Sequence, residues 1–479
     1  MTPTCTLVIL GASGDLTERL LLPGIGSLLE REPDRALRIV GSDRAPMTDG
    51  EFGQLLMRTL TAGGAPEAVA RRIADGAAYV CADVTDPSGL REVVGTAAGC
   101  AVGRRGSGRR AHQGAADGGG HLVLYFALPP AVTERACAAL QEVDLPDRTH
   151  LAMEKPFGRD EASARELNER VATLVPEAQV HRVDHFLGKS TVLDLIALRF
   201  ANRLFQAVWS AEHIESIEIA YDESLALEGR AGYYDHAGAL RDMIQSHLLQ
   251  VLALVAMEPP ARITDRDLRD ATATVLRATR LWGGGPETAS RRARYTAGQI
   301  GDRQVPAYVD EDGVDPGRET ETLAQVTVEV ANPRWAGVPI TLRSGKALGV
   351  TRKHVVITFA DVRHLPDGLT GPDPQDQLVI GLSPDVMELR ITTNGTSDPL
   401  ALEQSVFATT LREAELEAYG EVLTGILDGD PMLTVRGDAA EECWRICDEV
   451  LAAWAGGTVP MEEYPAGAAV PRDWGAALD

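Results

Sequence analysis

Gly11-Ala-Ser-Gly14-Asp15-Leu16 follows a short apolar run and opens a helical stretch. Glycines here permit a tight turn. The start of the helix offers backbone N–H groups and the positive end of a dipole to a pyrophosphate. The full dinucleotide fingerprint has a third glycine, and Thr17 stands in its place. A glycine turn between any strand and helix is the plain reading. The strand–turn–helix context favours a cofactor, with Gly11, Ser13, Gly14, Asp15 and Leu16 around it. The next apolar run ends in Gly41-Ser42-Asp43-Arg44. An acid at that point accepts the ribose 2′-hydroxyl of NAD, whereas an arginine pairs with the 2′-phosphate of NADP. Arg44 therefore favours NADP, and Asp43, which reads equally as a solvated loop carboxylate, leaves NAD open.

Two further groups carry chemistry. Arg182-Val-Asp184-His185-Phe-Leu-Gly-Lys189 places His185 and Lys189 four apart, on one face of a helix near its start. Two donors beside a helix N-terminus make a phosphate clamp; an ordinary exposed helix face is the competing reading. The third group is Glu228–Asp235 (EGRAGYYD) followed by LRDMIQSHLLQ, residues 240–250. His247 sits there in an otherwise apolar helix, where a histidine is more often a satisfied core residue than a base. Asp242, five positions earlier, lies about 140° round an α-helix and is no same-face partner. If His247 is a base, its orienting carboxylate should come from elsewhere.

The elements that hold these groups alternate at first. Apolar runs at 6–10, 38–42, 78–81, 121–128 and 149–153 read as strands separated by helices, with a capping box, Thr48-Asp-Gly-Glu51, opening one helix. This is the pattern of a doubly wound parallel sheet, an α/β Rossmann-type domain, expected over residues 1–178. Residues 97–120, rich in Gly, Ala and Arg, read as a flexible surface insertion. From 179 to 479 the texture changes to an α+β domain with a large, mainly antiparallel sheet. Helices are expected at 184–205, 237–257, 405–427 and 439–453. Strands are expected at 214–221, 323–330, 340–344, 354–359, 377–382 and 386–392. A chain of 479 residues suits such a division. The net charge of −24 argues against nucleic acid or an anionic membrane as partner, so an anionic substrate needs a locally basic pocket. The first residues lack a basic n-region and long apolar core, and the six cysteines show no metal spacing. A cytoplasmic, metal-free protein is expected.

Together these segments resemble the glucose-6-phosphate dehydrogenase family. The resemblance rests on GASGDL (11–16), ALPP (127–130), EKPFGRD (154–160), RVDHFLGK (182–189), RFANRLF (199–205), EGRAGYYD, LRDMIQSHLLQ, AMEPP (256–260) and RSGKAL (343–348). It implies NADP-dependent oxidation of glucose 6-phosphate at C1, with NAD possible. His247 is then the general base and Asp184 the carboxylate that orients it. His185 and Lys189 hold the phosphate. Lys155 and Lys346 bind sugar hydroxyls or phosphate, Glu223 and Asp242 accept from sugar hydroxyls, and Lys155 also faces the cofactor. A cis peptide before Pro156 and a homodimer or homotetramer are implied as well. The chain departs from the family's pattern at Leu20, where a lysine is usual, at Phe186 (tyrosine), Ser246 (asparagine) and Asp43 (a neutral residue). These departures leave open a related hexose phosphate as substrate. A non-catalytic homologue is the other alternative, but it would have lost His247 or Asp184.

Overall fold

The computed structural model describes residues 5–99, 120–372, 374–396, 398–411, 416, 418–475 and 477. The chain divides into two compact units, one of Met1–Lys189, Ala261–Arg269 and Ala414–Glu441, the other of Ser190–Pro260, Asp270–Glu413 and Glu442–Asp479.

The first unit is built on a six-stranded parallel sheet. Its strands are β1 (Cys5–Leu10), β2 (Leu37–Asp43), β3 (Ala78–Cys81), β4 (His121–Phe126), β5 (Thr149–Glu154) and β6 (Val180–Val183), in the order β3-β2-β1-β4-β5-β6. The order reverses between β1 and β4, which opens a crevice at the carboxyl ends of the strands. Strands β1 and β4 are buried almost throughout, as expected of a sheet covered on both faces. One layer of the core is Leu7, Ile9, Leu22, Ile25, Ile39 and Phe52, closed by Tyr419, Leu423 and Ile426 from the late helix Ala418–Asp428. The expected capping box forms: Thr48 Oγ1 accepts from the Glu51 N–H (3.2 Å), and Glu51 Oε2 accepts from the Thr48 N–H (2.8 Å). Of the insertion expected at 97–120, residues 97–99 finish the helix Pro87–Gly99, and 100–119 lie outside the described residues.

At the amino end of this sheet three buried histidines line up on neighbouring strands. His150 Nδ1 lies 3.0 Å from His181 Nε2, and the His121 and His150 rings are 5.3 Å apart. Burial lowers the proton affinity of all three, that of His150 to about 4. Arg148, Arg35 and Arg269 act in the same direction, while Asp428 and the Leu427 backbone oppose it at His121. The unfolded chain therefore binds more protons than the folded one below the ordinary histidine pKa of about 6.5. Stability is complete above that pH and falls as pH drops toward 4. Thermal melts should show a loss of about 1–2 kcal/mol from His150 alone at pH 5 relative to pH 7. His150→Gln should flatten the slope, and an equally steep slope in that variant would rule out His150 as its source.

The second unit carries a ten-stranded sheet. Its strands are β7 (Ile214–Asp222), β8 (Thr279–Leu281), β9 (Ser290–Thr296), β12 (Leu323–Val330), β13 (Ile340–Gly345), β14 (Arg352–Phe359), β15 (Gln377–Gly381), β16 (Val386–Asn394), β17 (Leu402–Thr410) and β18 (Met461–Pro465). The order is β17-β16-β15-β14-β7-β13-β12-β9-β18, with β8 also on β12; only the β7–β13 and β9–β18 pairs are parallel. A small hairpin, β10 (Gly298–Ile300) and β11 (Arg303–Val305), stands apart.

Three helix expectations are corrected. Residues 184–205 are not one helix: a 3₁₀ turn (His185–Gly188), a helix (Ser190–Ala201) and a second short helix (Arg203–Val208) follow each other. The Asp184 carboxylate caps the turn, accepting from the Phe186 N–H (3.0 Å), and a Cβ on Gly188 would stand 2.1 Å from the Ala418 carbonyl oxygen. Residues 237–257 break at Gly238 (φ 67°). The chain continues as a π-helix, Leu240–Leu248, and then an α-helix, Leu249–Ala256. Residues 405–427 are not helical throughout: 402–410 form β17, an edge strand paired with β16 along its whole length, and among the described residues the helix is Ala418–Asp428.

Candidate active site

The sequence-derived site residues divide between the two units. In the first they gather at the carboxyl ends of the parallel strands. Gly11 follows β1 with φ +93°, a conformation that favours glycine, and a Cβ there would lie 2.3 Å from the Ala127 carbonyl oxygen. Gly14 N–H closes the turn on Gly11 O (3.1 Å), and Thr17 Oγ1 donates to the same oxygen (2.9 Å). Thr17, buried where a third glycine would stand, thus ties the start of the helix to the loop. Asp15 is exposed and pairs with Arg19 at 3.4 Å; Leu16 packs on the core. The tight loop, with a glycine at each end and opening a helix, fits a dinucleotide.

Asp43 ends β2 and Arg44 follows it. The Asp43 carboxylate accepts from Ser13 Oγ (2.8 Å) and from the Arg44 N–H (2.7 Å), so it braces the glycine loop. The Arg44 guanidinium is exposed and has no hydrogen bond or ion pair among the described residues. Leu20 is 51% exposed on the π-helical segment Thr17–Leu21.

Lys155 follows β5, and its bond to Pro156 is cis, as the resemblance implied. Glu154, before it, is partly buried and accepts from the hydroxyls of Tyr125 and Tyr419. Burial raises its proton affinity against those hydrogen bonds and the nearby Lys155 charge, and Asp184 adds to the rise. Nothing in its spacing singled out Glu154, because its partner Tyr419 is remote in sequence.

Asp184 follows β6 and is fully buried. His185 lies in the 3₁₀ turn, and Lys189 ends it in an extended conformation (φ −69°, ψ 131°). The shared α-helical face expected for His185 and Lys189 is therefore absent, because a 3₁₀ turn places residues three apart, not four, above one another. The Lys189 ammonium instead lies 5.3 Å from the centre of the Phe186 ring. Phe186 lacks the tyrosine hydroxyl but keeps an aromatic face for that cation.

In the second unit, β7 and β13 run parallel and end together, which brings Glu223 to Lys346. Glu223 accepts from Lys346 Nζ (2.9 Å) and from Lys353 Nζ (3.1 Å). Burial works to raise the Glu223 pKa, but the two ammonium groups outweigh it and hold the carboxyl below its usual range. Lys346 Nζ lies 5.2 Å from the Tyr234 ring centre. Lys353 was not foreseen; its position depends on the β7–β14 register, which pairs it with Tyr221. Asp242 Oδ1 accepts from Tyr233 Oη (3.1 Å).

His247 is 2% exposed in the π-helix, in a polar stretch of an otherwise apolar wall with Gln245, Ser246 and Gln250, all buried. The π-helix also corrects the angular argument about Asp242. Its hydrogen bonds join residues five apart, so residues 242 and 247 fall one wide turn apart rather than on divergent faces.

A family profile described as "Glucose-6-phosphate dehydrogenase, NAD binding domain" matches residues 8–194, and one described as "Glucose-6-phosphate dehydrogenase, C-terminal domain" matches 196–479. The chain is 34% identical to glucose-6-phosphate 1-dehydrogenase of Mycolicibacterium smegmatis, covering 98% of this chain and 94% of that one. It is 35% identical to the enzyme of the same name from Gluconobacter oxydans, covering 97% and 94%. A glucose-6-phosphate dehydrogenase solved in complex with its substrate glucose 6-phosphate superposes with TM-score 0.85 and 28% identity, over 100% of this chain and 99% of that one. The Mycobacterium avium glucose-6-phosphate 1-dehydrogenase gives 0.82 and 32%, over 99% and 96%. The parallel sheet with its glycine loop, the large mixed sheet and the matched profiles agree: this chain belongs to the glucose-6-phosphate dehydrogenase family.

Proposed function

We propose that the protein oxidises D-glucose 6-phosphate at C1 to 6-phosphogluconolactone with NADP, the first step of the oxidative pentose phosphate route. The observation that carries this reading is its likeness, over the whole chain, to an enzyme solved with glucose 6-phosphate. His247 removes the C1 hydroxyl proton. Asp184 orients the imidazole and stabilises its protonated form. Lys189 and His185 hold the phosphate, Lys155 and Lys346 bind sugar oxygens, and Glu223 and Asp242 accept from sugar hydroxyls. Bound nicotinamide dinucleotide supplies the acceptor for the hydride leaving C1. Gly11, Ser13, Gly14, Asp15, Leu16 and Lys155 hold it. The test is a panel of hexose phosphates: a higher kcat/KM for any other sugar would replace glucose 6-phosphate in this reading.

The preference for NADP is supported by Arg44, whose guanidinium is uncommitted while Asp43 is bound to Ser13. Arg44→Ala should raise KM for NADP about ten-fold or more, as loss of a charge-assisted hydrogen bond requires, and leave KM for NAD nearly unchanged. Equal change with both cofactors, or faster wild-type rates with NAD, would overturn the assignment.

A cytoplasmic location and self-association belong to the same reading. No helix among the described residues is long and apolar enough to cross a membrane. Self-association is supported by β17, which exposes Val406 (54%) and Phe407 (60%). Sedimentation should give a dimer or tetramer that Phe407→Glu dissociates; a monomeric wild type would refute it.

A further inference from the structure

The second unit contains a cavity of about 300 Å³ that none of the residues assigned above lines. It lies between the residues just before β12, the break around Gly238 and the end of the C-terminal helix Gly437–Ala455. Its walls carry Arg241, Arg292, Arg318 and His236, and its apolar side is Leu451 and Trp454. In a chain with net charge −24, three arginines and a histidine around one small cavity mark a place built for negative charge.

Acids in the wall are mostly committed elsewhere. Glu321 turns to the backbone: its Oε1 accepts from the Leu240 N–H (2.9 Å) and would stand 2.4 Å from a Cβ on Gly238. Glu319 is 65% exposed and only 3.6 Å from Arg292 at its nearest, a loose pair. Arg318 is anchored by Asp235 (2.6 Å), and Arg292 by the carbonyl oxygens of Val459 (3.2 Å) and Trp454 (3.1 Å). Both guanidinium groups are thereby held at the cavity by bonds that leave other N–H donors. Arg241 is half-buried and makes no hydrogen bond or ion pair among the described residues, though its charge, with that of Arg292, acts on the buried Glu321 carboxyl. Two fixed arginines and a third whose N–H donors make no hydrogen bond among the described residues, around a space of this volume, match a phosphate ester, which accepts forked hydrogen bonds on several oxygens.

We propose that this cavity binds a small phosphorylated metabolite at Arg241, Arg292 and Arg318, separately from the substrate phosphate held by Lys189. The size admits a phosphate with a short carbon chain or one sugar ring. Arg241 adjoins Asp242 at the start of the π-helix that carries His247, so an occupant touches the end of that helix.

Isothermal titration with inorganic phosphate tests the proposal. In the Lys189→Ala background, where the substrate phosphate site is weakened, one phosphate per chain should still bind saturably. Adding Arg241→Gln should weaken that binding about ten-fold or more. Ala455→Glu, at an exposed position on the cavity wall, should weaken it similarly by repulsion without disturbing the core. Absence of saturable binding in Lys189→Ala, or binding that survives both second substitutions unchanged, would overturn the proposal.

Discussion

Replacing His247 by asparagine should lower kcat by about 10²–10⁴-fold, the range a positioned general base contributes, with KM for glucose 6-phosphate changed only a few-fold. Asparagine is close in shape to part of the imidazole and retains hydrogen bonding, so the buried wall formed with Gln245, Ser246 and Gln250 should stay intact. What is lost is the capacity to take a proton at neutral pH. Asp184→Asn should lower kcat less, because it removes the charge that stabilises the imidazolium but leaves the base in place. In that variant the pH limb of kcat assigned to the base should move to lower pH, because an imidazole that has lost its neighbouring carboxylate binds a proton less readily. Steady-state kinetics with folded, melt-checked protein decides both cases. A His247→Asn enzyme with kcat within a few-fold of wild type would refute the base, and an Asp184→Asn enzyme with an unmoved limb would refute the orienter.

These assignments depended unevenly on what the sequence alone carries. The glycine loop was legible because its determinants are local: a strand, two glycines and a helix start, all within residues 5–17. The Thr48–Glu51 box was legible for the same reason. The helix breaks were not. Residues 184–189 read as helix by spacing, but Gly188 is pressed against the backbone of Ala418, more than two hundred positions away. The turn at Gly238 is fixed by Glu321, which holds the Leu240 N–H from another segment. β17 misled the helical reading because it is an edge strand exposed on both faces; the neighbours Val406 and Phe407 point to opposite faces and are both exposed, so no alternation marks the strand. Lys353 and Glu154 were missed because their partners are set by sheet register and by the docking of the helix Ala418–Asp428. The candidate residues could thus be named from the sequence, while the conformations that present them are products of distant contacts.

Lys189→Ala should separate binding from chemistry in the opposite sense to His247→Asn. A charge-assisted hydrogen bond to a phosphate is worth about 1.5–3 kcal/mol, so KM for glucose 6-phosphate should rise about ten- to 150-fold. At saturating sugar kcat should stay within a few-fold, because the phosphate lies at the end of the sugar remote from C1 and its contact is the same before and during the reaction. The conformation of Lys189 gives this expectation its force. The lysine leaves a capped 3₁₀ turn in an extended conformation, with its ammonium 5.3 Å from the Phe186 ring centre. Phe186 is buried, so the ring is fixed. The family's usual tyrosine would add a hydroxyl to the phosphate pocket, and without it Lys189 and His185 carry more of the phosphate's binding. Phe186→Tyr should therefore lower KM and partly offset Lys189→Ala when the two are combined. If Lys189→Ala lowered kcat as strongly as kcat/KM, the ammonium would be acting in the transition state alone, and its assignment to ground-state phosphate binding would fall.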